Sequence, residues 1–170
     1  MFPVSVKKMN TNGQMEEEYE VSTDLTGFYR SWYDNGQKHI EYNIEKDEMH
    51  GTFRCWYENG QLQEEYELIY GIKNGIYRSW HPNGEKHSMG FYKDDMLDGM
   101  FEEWYETGTK KKELTFIYGM MNGLFQTWHP NGQICVECMY HNSKFHGFYE
   151  ETNEKGERII TSNYKHGIRV

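Results

Sequence analysis

Cys135 and Cys138 form a C-x-x-C, with His141 and His146 shortly downstream. As a set they could supply a Cys₂His₂ zinc site, because thiolate and imidazole are the ligands tetrahedral zinc takes. The segment that carries them reads as a strand, however, and strand side chains three apart point to opposite faces. Strong zinc signatures also carry two correctly spaced ligand pairs. Cys138 falls at the position that Tyr42 and Tyr66 hold in other copies of a repeat, an inward-facing slot. These cysteines are therefore read as structural, and neither a metal nor a cofactor is expected.

The remaining reactive side chains are few. Glu102-Glu103 and Glu150-Glu151 are adjacent in strands, so each pair is split between two faces. His81 and His129 stand where other copies carry tyrosine. The chain has no Ser-His-Asp order, phosphate loop or dinucleotide fingerprint. A non-enzymatic protein is expected.

The elements that hold these residues are repeats. Trp32, Trp56, Trp80, Trp104 and Trp128 are each 24 residues apart, and Gly27, Gly51, Gly75, Gly99, Gly123 and Gly147 keep the same step. A second glycine series begins at Gly13 and continues through Gly36, Gly60, Gly84, Gly108, Gly132 and Gly156. Such self-similarity outranks any local motif in deciding the fold. H-P-N-G at 81–84 returns at 129–132, and I-Y-G at 69–71 returns at 117–119, so a two-repeat block was duplicated.

Each copy reads as a β-hairpin. A short aromatic-rich run such as 28–33 suits a strand, and the Asn-Gly that follows it in four copies is a strong hairpin signal. Pro82 and Pro130 suit the first central position of a type I turn, which puts Gly84 and Gly132 at a left-handed bulge position. The return strand alternates, with Tyr42 and Ile44 on one face and Glu41, Asn43 and Glu45 on the other. In the first strand Phe28 and Trp32 are read as sharing one face and Tyr29 and Tyr33 the other. The tryptophans, with Tyr33, Tyr57, His81, Tyr105 and His129, make a ladder that is first a device of sheet stability and second a candidate interaction surface.

Composition agrees. Aromatics reach 16% of 170 residues, hydrophobics only 36%, and alanine is absent, so helical bundles are disfavoured. Three cysteines, an odd count, argue against a disulfide framework and for a reducing, cytoplasmic compartment. A net charge of −9 disfavours nucleic acid and anionic lipid as partners. The one basic run, Lys110-Lys111-Lys112, reads as a solvated face. No apolar segment is long enough to span a membrane, and the start, Met1-Phe2-Pro3-Val4, has no leader pattern.

The pattern G-x-[FY]-x-x-W-[YH]-x-N-G with an acidic return strand resembles the variant class of MORN repeats, over about residues 9–166. The resemblance implies an open, elongated sheet of consecutive hairpins acting as a scaffold or interaction module. Some such bacterial proteins are described as antitoxin-like, and such arrays abound in large DNA viruses, which would put the chain in host cytoplasm or virion. Ordinary MORN repeats have denser glycine and are linked to phospholipids, so a peripheral lipid-binding module is the alternative.

The expected architecture is thus all-β: an elongated single-sheet solenoid of about six to seven consecutive antiparallel hairpins. At roughly 4.8 Å per strand, about thirteen strands would run near 60 Å. One repeat domain is expected over 1–170, with a partial repeat over 1–26, five full repeats over 27–146 and a degenerate repeat over 147–170. The end copies are either caps or decayed repeats. A protein partner is expected, together with self-association through sheet ends or an aromatic face.

Overall fold

The computed structural model describes residues 3–170. They are all-β, with sixteen strands. The chain divides into two compact units, Met1–Gly84 and Glu85–Val170. Met1 and Phe2 lie outside the described residues.

In the N-terminal unit, β1 (Val4–Met9), β2 (Met15–Val21), β3 (Gly27–Trp32), β4 (Lys38–Glu45), β5 (Glu48–Trp56), β6 (Leu62–Ile69) and β7 (Ile72–Trp80) follow one another as an open antiparallel sheet. In the C-terminal unit, β8 (Lys86–Lys93) pairs with both β9 (Met96–Leu97) and β10 (Gly99–Trp104). The order then runs through β11 (Lys110–Ile117), β12 (Met120–Trp128), β13 (Ile134–His141), β14 (Lys144–Thr152), β15 (Arg158–Lys165) and β16 (Ile168–Arg169), again antiparallel throughout.

Two turn types alternate. At Asn35-Gly36, Gly36 N–H donates to Tyr33 O and Tyr33 N–H to Gln37 O, both at 2.8 Å. Gly36 sits at φ 83°, a region that crowds any Cβ. The short connector between each return strand and the next repeat is the second turn type. Lys46 and Asp47 have φ 53° and 68°, and Asp94 and Asp95 have 51° and 62°. Paired positive φ values make a type I′ turn, whose twist matches the flanking strands. The connector is therefore itself a hairpin turn. Strand β5 starts at Glu48, ahead of the repeat glycine Gly51, and the described residues hold sixteen strands where about thirteen were expected.

One face carries the least exposed side chains. In the N-terminal unit these include Val21, Ile44, Cys55 and Leu68, and in the C-terminal unit Leu114 and Cys138. The rings of Tyr29, Tyr42, Phe53, Tyr66 and Tyr77 pack along this face, with centroids 5.1, 6.2, 4.7 and 6.4 Å apart in turn. Such cross-strand ring pairs are the ordinary unit of sheet stability. In the C-terminal unit the same slot holds Phe101, Leu114, Phe125, Cys138, Tyr149 and Ser162, each directly opposite the next. Gly27 allows close strand approach, since a Cβ there would lie 1.8 Å from the Glu20 carbonyl oxygen.

Candidate interaction surface

Within each unit, residues of the sequence-derived ladder tie a repeat to its neighbour. Tyr33 donates its hydroxyl to Trp56 O at 2.8 Å, Tyr57 to Trp80 O at 2.9 Å, and Tyr105 to Trp128 O at 2.9 Å. His129 continues the pattern, with Nε2 2.9 Å from Thr152 O. The turn asparagines act in parallel, as Asn35, Asn59 and Asn131 each donate at 2.7 Å to the backbone of the following turn. All five tryptophans are half-buried. A β-bulge at Ser31/Trp32, repeated at Trp56, Trp104 and Trp128, re-aims each ring there at the strand end. Lys38, Lys86 and Lys110 place their ammonium 5.0, 5.6 and 5.6 Å from the ring centroids of Trp56, Trp104 and Trp128. Gly36, Gly60, Gly84, Gly108, Gly132 and Gly156 all have positive φ, between 79° and 88°.

On the opposite face of the N-terminal unit, Lys7, Glu18, Arg30, Glu41, Arg54, Glu65 and Arg78 stand directly opposite one another on β1 to β7. The signs alternate without a break. Ion pairs run Lys7–Glu18 at 2.9 Å, Arg30–Glu18 at 3.7 Å, Arg30–Glu41 at 3.4 Å, Arg54–Glu65 at 2.6 Å and Arg78–Glu65 at 3.3 Å. Lys38 also bonds Glu41. Burial works against the Glu41 charge, but the hydrogen bond from Lys38 and the charges of Lys38, Arg30 and Arg54 outweigh it and hold this carboxyl below its usual range. This ladder is visible in the sequence as arginine and glutamate at the repeat spacing. Recognising it needs the register, which brings residues 11–13 apart into opposition.

The C-terminal unit uses the same column differently. Glu102, Glu113, Gln126, Glu137 and Glu150 face one another in succession, with no arginine among them. Lys110 bridges Glu102 and Glu113 at 2.6 and 2.5 Å, and Arg158 pairs with Glu150 at 2.8 Å. On the same face, two residues along the strands, Met100, Leu124 and Phe148 are exposed.

The basic run read as a solvated face is engaged instead. Lys111 and Lys112 both pair with Glu103, at 2.5 and 2.8 Å, and Lys110 with Glu102 and Glu113. Of the residues weighed as a zinc set, Cys138 is fully buried, opposite Phe125 and Tyr149, and Cys135 is half-buried. Burial pushes the Cys138 thiol up to about 11, with Glu137 adding to the effect. His141 and His146 do lie together, with ring centroids 5.7 Å apart, and His166 adds a third ring 4.8 Å from His146. Among the described residues no group of three His, Cys, Asp or Glu side chains is placed to hold a metal ion. None of the elements is a helix long and apolar enough to cross a membrane, again among the described residues.

Four consecutive segments, 49–69, 73–94, 97–118 and 121–142, match the family described as MORN repeat variant. Together they cover half of the chain. No curated protein matches it.

Proposed function

This chain belongs to the MORN repeat variant family, and from that premise we propose that it is a non-enzymatic scaffold that binds a protein partner through its outer sheet face. Repeats of this kind are interaction or membrane-binding modules. The observation that carries the choice is how the polar side chains are used. Tyr33, Tyr57 and Tyr105 are spent on the backbone of the next repeat, and the alternating file from Lys7 to Arg78 on cross-strand ion pairs. In the C-terminal unit Lys110 bridges Glu102 and Glu113 and Arg158 pairs with Glu150, so Glu137 is the carboxylate of the column left without an ion pair among the described residues, on the same face as exposed Met100, Leu124 and Phe148. Carboxylates repel an anionic membrane surface and favour a cationic protein surface. Three free cysteines, two of them buried, suit a reducing compartment such as the cytoplasm.

Floating the chain with phosphatidylserine vesicles tests the choice. The scaffold reading expects the protein to stay unbound at physiological salt. Recovery with the vesicles, lost on adding salt, would favour the lipid module instead.

Edge strands give the same scaffold a second use. Among the described residues β1 pairs only with β2 and is exposed along its length, and Ile168 and Val170 are 70% and 76% exposed. Unpaired edges template self-association, so weak end-mediated dimers are part of the proposal.

A further inference from the structure

Glu137 occupies, four repeats on, the position of Glu41. Around Glu41 stand three cations: Arg30 and Arg54 directly opposite on the flanking strands, and Lys38 three residues before it. Around Glu137 the same three positions hold Gln126, Glu150 and Ile134. Glu137 keeps one hydrogen bond, from Gln126 Nε2 at 3.2 Å, and has no ion pair among the described residues. Glu150 lies directly opposite it and has only the outlying Arg158, whose side chain is 72% exposed. Like charges directly opposite in a sheet are destabilising.

The same repeat has also lost its tryptophan. Where Lys38 and Lys110 lie over Trp56 and Trp128, Ile134 now stands near Thr152. The space left is a groove of about 180 Å³ lined by Gln133, Ile134, Glu137, Glu150, Thr152 and Gly156. Two residues along the strands on this face, Leu124 and Phe148 are 40% and 38% exposed. That spacing is roughly 7 Å.

We infer that this groove receives a lysine or arginine side chain from a basic, partly apolar segment of the protein partner, with a neighbouring apolar side chain resting on Leu124 and Phe148. The inference rests on the scaffold reading above and names the partner's chemistry. The occupant is set by charge complementarity. The slot that an internal ammonium fills beside Glu41 and Glu113 is lined at Glu137 by two carboxylates and no internal ammonium. An incoming cation would relieve the Glu137–Glu150 opposition. An apolar residue about 7 Å from that cation matches alternate positions of an extended segment.

The test uses the intact chain and a short fluorescent peptide in which lysine alternates with leucine, read by anisotropy. Its control carries glutamine in place of lysine. The native chain is expected to bind the lysine peptide, more weakly as salt rises, and to ignore the control. Glu137→Gln is expected to weaken binding about tenfold or more. Ile134→Lys restores the internal ammonium and is expected to abolish binding while keeping or raising the melting temperature. Circular dichroism confirms that both variants fold. Equal peptide affinity in the native chain and both variants would overturn the inference, as would binding to phosphatidylserine vesicles in place of the peptide. If the natural partner still protected successive strands in both variants, the groove would be excluded and the scaffold reading would stand. If peptide binding behaved as expected while no protein footprint spanned the repeats, the scaffold reading alone would fail.

Discussion

Tyr57 reaches across to the next repeat and donates its hydroxyl to the Trp80 carbonyl oxygen at 2.9 Å. The bond joins a side chain of one hairpin to the backbone of another, 23 residues away. Its equivalents at Tyr33 and Tyr105 make it a recurring rivet. Tyr57→Phe removes the donor and keeps the ring, so it is expected to cost about 1 kcal/mol, rising toward 3 where the Trp80 carbonyl stays dry. Urea unfolding checks it, and Tyr105→Phe should behave alike.

The alternating file on the N-terminal unit makes an acid-sensitive element. The Glu41 carboxyl is held below its ordinary 4.5, so the folded state binds its proton less readily than the unfolded chain. Its contribution is therefore complete above about pH 4.5 and is lost as pH falls through the depressed folded value. Arg54→Met is expected to cost about 1 kcal/mol at low salt, because each partly exposed pair is worth little alone. The cost should shrink in high salt. A loss that ignores salt would mean that packing of the arginine stem, not charge, dominates.

Alkaline pH should act on the ring face. Burial pushes the Cys55 and Cys138 thiols up to about 11 from an ordinary 9.0, and Tyr66 up to about 12 from 10.0. Folding favours the protonated forms, so this stability is complete below pH 9 and drains as pH rises through 11 and 12. In native protein at pH 8, maleimide is expected to label Cys135 first, with Cys55 and Cys138 protected until unfolding. Fast labelling of Cys138 would contradict its burial.

Turn geometry gives a backbone test. Gly84 sits at φ 88°, and a Cβ there would lie 3.1 Å from Gln61 Oε1. Gly84→Val is expected to cost on the order of 1–2 kcal/mol. Trp80 is half-buried, so Trp80→Ala should fall toward or below the lower end of the roughly 3–5 kcal/mol seen for buried aromatics. Thermal melts of both variants, beside Gly132→Val and Trp128→Ala, would show whether the duplicated block behaves as two near copies.

Much of this architecture was legible in the sequence. The constant step of Trp32 to Trp128, the Asn-Gly turns and the alternation around Tyr42 and Ile44 suffice to derive consecutive antiparallel hairpins. The second turn was half hidden: Tyr70-Gly71, Tyr118-Gly119 and His166-Gly167 carry a glycine there, but Lys46-Asp47, Asp94-Asp95 and Asn142-Ser143 take the same left-handed backbone without one. The bulges at Trp32, Trp56, Trp104 and Trp128 were hidden too, since a bulge adds a residue without changing composition. The groove was missed for a different reason. Gln126, Ile134 and Thr152 are unremarkable singly, and they signify only when set against Arg30, Lys38 and Trp56 in the same register.

The central claim is that an extended sheet face, and not a localised reacting site, carries the function. Hydrogen–deuterium exchange of the chain alone and bound to its natural protein partner, captured by cross-linking, tests this most directly. The expected result is protection spread over successive strands of at least two repeats, across residues 99–152, that weakens with salt. Protection confined to one small cluster of polar side chains, or a turnover that one conservative change such as Glu103→Gln abolishes without loss of stability, would contradict it.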